Sequence, residues 1–214
     1  MKEDQLKESI RILHQHAENN KHDLDLREQI LITLLNQKEN HTIISELIDI
    51  IGDNVHSTQF HWDLIARIMN RGFADTLIVI LQDDNSPENS FKINYLLGLI
   101  YQWLERSEDS ILNFEKAISE NPDFADAYYN LANVYKTQGD DVKAIELLKK
   151  SIELDANLAE PHFALATIYF KFHQYEEEKK HLNTFIKLAN DYLYPYKMNA
   201  YEFLRVLNII TGTR

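Results

Sequence analysis

The chain has 214 residues with no cysteine, only 5 glycines and 4 prolines, 44% hydrophobic and 26% charged residues. That composition excludes a disordered chain, a disulfide scaffold, a thiolate metal site and a cysteine nucleophile, and it holds too few turn formers for a sandwich or barrel that reverses every ~10 residues. The formal charge is −12, and residues 1–124 hold 22 Asp/Glu against 11 Lys/Arg, so the N-terminal half repels phosphate backbones and no nucleic-acid partner is expected.

The first eight residues contain no apolar signal core, and no apolar run approaches the roughly 18–20 residues of a membrane helix. A cytoplasmic protein without membrane contact is the expectation. Leu6, Ile10, Leu13 and Ala17 recur at helical spacing, which predicts an N-terminal capping helix within residues 1–23. Residues 24–90 read as two degenerate helical hairpins. Ile30, Leu31, Leu34, Ile43, Leu47 and Ile50 mark the first, and Leu64, Ile65, Ile68, Gly72, Leu77 and Leu81 mark the second. Taken alone, Ile78-Val79-Ile80-Leu81 suits a strand; the repeat period makes it helix.

From residue 91 the chain repeats every 34 residues without a gap, over 91–124, 125–158 and 159–192. The seventh position holds Leu97, Leu131 and Leu165, the eighth Gly98, Ala132 and Ala166, and the eleventh Tyr101, Tyr135 and Tyr169. Positions four, seven, eight and eleven share one helical stripe, and a small residue at eight lets a second helix approach closely. Position twenty, on that second helix, is Ser110, then Ala144, then Glu178. Glu105-Arg106-Ser107 and Gly139-Asp140 fall where each pair of helices turns. Each block is therefore a hairpin whose apolar face its neighbour must cover. Residues 193–214 follow as a C-terminal capping helix, which Pro195 can open and which presents Tyr201, Leu204 and Leu207 to the array.

The stretch from Asn121 to Asp140, with its Leu131, Ala132, Tyr135 and Gly139, resembles the tetratricopeptide repeat family. The resemblance implies an all-α, right-handed α-α superhelix of about five hairpins with capping helices. It departs from the family pattern at Glu178, where a small residue is expected, and at Asn94 and His162, where an aromatic is.

Catalytic chemistry finds no support in the chain. There is no Gly-rich phosphate loop and no nucleophile-elbow or zincin motif. His14 and His16 point about 200° apart on a helix, and His56 and His61 lack carboxylates at ligand spacing, so neither metal nor cofactor is expected. The expected function is a non-catalytic scaffold that binds another protein or a peptide. In a coil of this family the concave wall takes positions five, nine and twelve of each first helix. Position five gives Trp62, Tyr95, Tyr129 and Phe163. Position nine gives Leu99, Asn133 and Thr167, position twelve gives Lys136 and Phe170, and Asn130 at position six completes the set. Rings supply contact area at low entropic cost, and amides can hold a peptide backbone. A packing role for the position-five rings stays open, as does self-association. The other reading is a regulatory or targeting subunit of a glycosyltransferase or sulfotransferase system.

Overall fold

The structure, a computed structural model, describes residues 23–52, 58–84 and 86–212 together with Glu8, Arg11, Ile12 and Gln15. Leu6, Ile10, Leu13 and Ala17 of the proposed N-terminal cap, together with His14, His16 and His56, lie outside the described residues. Among the described residues from 23 onward, eleven α-helices follow in order: α1 Leu24–Gln37, α2 Asn40–Gly52, α3 Thr58–Asn70, α4 Ala74–Asp83, α5 Ser90–Trp103, α6 Ser107–Glu120, α7 Ala125–Gln138, α8 Asp141–Leu154, α9 Glu160–Lys171, α10 Tyr175–Leu188 and α11 Tyr194–Thr211. No strand occurs among the described residues, and Ile78–Leu81 is part of α4. α1 with α2, α5 with α6, α7 with α8 and α9 with α10 pair as hairpins, while α3 packs on α1 and α5 and α4 on α2 and α5; the array is a right-handed superhelix with α11 as its last layer.

The repeat positions act as their spacing requires. A Cβ on Gly98 would lie 2.5 Å from the Phe114 ring, so the eighth position of the first block must be bare for α5 and α6 to meet. Ser110 of α6 donates to the Gly98 carbonyl at 2.9 Å, which satisfies its hydroxyl inside the contact. The three hairpin turns share one geometry. The N–H of Arg106, Asp140 and Gln174 each donates at 2.9 Å to the carbonyl of the position-eleven tyrosine, Tyr101, Tyr135 or Tyr169. The residue before it is left-handed: Glu105 at φ 57°, Gly139 at 85° and His173 at 57°. Glycine adopts this conformation without cost, while Glu105 and His173 hold it because the turn's hydrogen bond and packing impose it.

Toward the N-terminus ion pairs add to a core of Ile30, Leu34, Ile43, Leu47 and Leu64. Arg27 bonds Glu46 at 2.6 Å across α1 and α2, and Glu28 pairs with Arg67 of α3 and with Arg71 in the turn after it, each at 3.0 Å. Glu46 is 3% exposed, so its pairing is what allows the carboxylate to sit inside the fold.

The arc closes on itself. The Tyr192 ring, in the turn after α10, meets Phe60 of α3 edge-on at 5.3 Å, and its hydroxyl donates to Asp63. Glu160, opening α9, accepts the Gln59 backbone N–H at 3.3 Å and so satisfies a free donor at the start of α3. The C-terminal cap turns Leu204 and Leu207 to the array as its spacing predicts, but not Tyr201. Ala200 and Leu207 are buried while Tyr201 faces solvent, because Ala200 precedes Tyr201 by one residue and ~100° of helix.

Candidate functional site

The closed arc divides the predicted concave residues into a buried set and an accessible set. Tyr95 is fully buried. Its ring lies edge-on to Phe124 at 5.0 Å and tilted on Phe114 at 5.9 Å, and its hydroxyl accepts from Asn130 Nδ2 at 3.0 Å and lies 3.3 Å from His61 Nδ1. Asn130 also donates to the Asp126 carbonyl at 3.0 Å. Leu99 has no exposed surface either. Tyr95, Leu99 and Asn130 therefore form a buried floor of the superhelix.

The remaining residues line what stays open. Trp62, Tyr129, Asn133, Lys136, Phe163 and Thr167 are half-buried, and Phe170 is exposed. Asn133 bonds the Tyr129 hydroxyl one turn away on α7, and burial pushes that phenol well above its ordinary range. Lys136 follows on the same helix. Partial burial lowers its pKa, while the nearby Asp141 carboxylate raises it; Asp141 is itself held by Lys171 of α9. Phe163 is locked in an aromatic cluster, 5.0 Å from Phe185 and 6.3 Å from Phe203 of α11. Trp62 stands apart on α3, near the closing seam, so the structure brings together the α7 and α9 residues rather than the whole row.

Two acidic groups lie beside this floor. Burial, reinforced by the Glu160 carboxylate, pushes Asp126 up to about 7. The sequence offered no sign of this, because Asp126 and Glu160 are adjacent only in the folded arc. A histidine pair was missed for a similar reason. His162 Nδ1 lies 2.9 Å from His181 Nδ1 between α9 and α10, and the His181 ring stacks on Tyr169 at 5.5 Å. Burial lowers both, and takes His181 to about 4 with further repulsion from His162 and Lys180. The available signal was His162 at the stripe position where the family prefers an aromatic. No group of three or more His, Asp or Glu side chains is placed to hold a metal among the described residues.

Comparison with known proteins bears on the family. Models of the tetratricopeptide repeat match residues 91–124 and 113–146, the same 34-residue period taken in two phases. Residues 91–146 of the chain carry tetratricopeptide repeats. Its fold is similar to that of PilF of Pseudomonas aeruginosa, with a TM-score of 0.59 at 16% identity, over 89% of this chain and 85% of that one. A MamA structure aligns with a TM-score of 0.47 at 16% identity, over 87% of this chain and 90% of that one. MamA of Desulfovibrio magneticus RS-1 gives 0.47 at 18% identity, over 86% and 85% of the two chains. At such identities the PilF likeness speaks for the fold alone. In this repeat protein no described helix is long and apolar enough to cross a membrane.

Proposed function

We propose that this tetratricopeptide repeat scaffold holds a peptide segment or partner helix along the open strip formed by α7, α9 and α11. Protein interaction is the general use of such repeats, whose stacking creates extended concave surfaces. The observation that carries the finer reading is the run of Tyr129, Asn133 and Lys136 on α7. These are polar groups held half out of water on the inner face, where a helix made only for packing would be apolar. Thr167 and Phe170 continue the strip on α9, and the exposed Phe203 continues it on α11. The buried Tyr95, Leu99 and Asn130 then serve as its rigid floor.

The test is a pull-down with the intact chain, mass-spectrometric identification of the recovered protein, and calorimetry with variants. Asn133→Ala and Lys136→Ala are each expected to keep the helical circular-dichroism spectrum and to weaken binding about tenfold, since each removes a hydrogen-bonding or charged contact worth ~1–2 kcal/mol. Wild-type affinity in both folded variants would place the partner on another face.

A further inference from the structure

Between α9, α10 and α11 lies a cavity of ≈ 190 Å³ lined by Ala166, Thr167, Phe170, Leu182 and Phe203, with Glu178 its sole ionisable group. Glu178 is 3% exposed, and its Oε2 has no hydrogen-bond partner among the described residues. Burial raises its pKa accordingly. The corresponding position holds Ser110 in the first of the three repeats, with its hydroxyl bonded to a carbonyl, and the wholly buried Ala144 in the second. Only the third repeat puts a carboxyl there, and α10 forms around it. A buried carboxylate oxygen without a partner is costly, and a cation placed against it would favour the charged form that burial disfavours. Phe170 and Phe203, 47% and 42% exposed, stand at the mouth, where aromatic rings favour a positive head group.

We propose that this pocket takes a lysine or arginine side chain of the bound partner, with its alkyl stem against Leu182 and the two phenylalanines and its charge on Glu178. This rests on the groove reading, because Thr167 and Phe170 belong to both surfaces. Glu176, exposed in the first turn of α10 beside Glu178, adds a negative charge at this end, while Glu177 is paired with Lys180. The neighbouring Phe203, Val206 and Ile210, all exposed on α11, suit apolar residues of the same partner.

The probe is n-butylammonium, a lysine side chain in miniature, with n-butanol as its neutral counterpart. Each is titrated into the whole protein while the Phe170 and Phe203 ring resonances are followed by NMR. The ammonium is expected to bind about tenfold more tightly than the alcohol, and Glu178→Gln to abolish that preference while leaving the melting temperature at or above wild type. In the wild-type protein the Glu178 carboxyl carbon should titrate at lower pH when butylammonium is present, which a purely structural carboxyl would not show. Equal affinity for the two probes, a preference that survives Glu178→Gln, or an unmoved carboxyl titration would each overturn the proposal and leave Glu178 a protonated packing group. Should Glu178→Gln not fold, the wild-type titration decides alone. Because these probes need no protein partner, failure here is distinct from failure of the groove, which Asn133→Ala and Lys136→Ala report separately.

Discussion

Replacing Tyr95 with alanine is expected to destabilise the protein by about 3–5 kcal/mol, the cost of emptying a large aromatic site in a packed core. Tyr95 has no exposed surface, touches Phe114, Phe124 and His61, and anchors Asn130 through its hydroxyl. Against a typical domain stability of 5–15 kcal/mol, that loss takes a large share of the whole and should appear as a strongly lowered urea midpoint. Tyr95→Phe isolates the hydroxyl. Asn130 keeps its bond to the Asp126 carbonyl, so the expected cost is only about 1–2 kcal/mol. A stable Tyr95→Ala protein with a selective loss of partner binding would return Tyr95 to the contact surface.

Asp126→Asn is expected to stabilise the protein above neutral pH and to leave it unchanged in acid. The folded-state pKa of about 7 lies above the ordinary carboxyl value of 3.8, so the folded chain binds the extra proton between those limits. Stability associated with this group is therefore fully present below the unfolded value and declines as pH rises toward 7. The shift corresponds to about 2–4 kcal/mol, which the uncharged asparagine recovers at alkaline pH. His181 acts in the opposite sense. Its folded pKa of about 4 is below the ordinary 6.5, so its contribution is complete above the unfolded value and is lost as pH falls toward 4. His181 is only half-buried, which discounts its effect to about 1–2 kcal/mol. In the wild type the two slopes oppose one another over the same interval. In Asp126→Asn the histidine slope stands alone, so the melting temperature should climb from about pH 4 to pH 6.5 and then level off. A parallel pair of melting curves for wild type and Asp126→Asn would show that Asp126 titrates as an exposed carboxyl.

Most of the architecture is legible in the residues themselves. The 34-residue period, the small Gly98, Ala132 and Ala166, and the turn residues near Gly139 specify hairpins and their stacking, because each acts within one repeat or on the next. The same locality explains why α4 could be placed despite its strand-like Ile78–Leu81: its neighbours in the array impose helical register. The single residues of the site behave differently. Tyr95 and Tyr129 occupy the same repeat position with the same side chain, yet one is sealed in the floor and the other borders the open strip. Tyr95 is enclosed by Phe114, Phe124 and Asn130, where the next repeat has Leu148, Leu158 and Ala164, and closure of the arc adds the Glu160–Gln59 and Tyr192–Asp63 contacts, 101 and 129 residues apart in the chain. The closing contacts have no period and leave no pattern in composition. Glu178 shows the boundary most clearly. The sequence by itself marks it as a departure from the small residue its repeat expects; only the tertiary structure decides that the carboxyl is buried, with Oε2 unbonded, and set in an apolar cavity, because its surroundings come from three helices whose spacing no single repeat encodes.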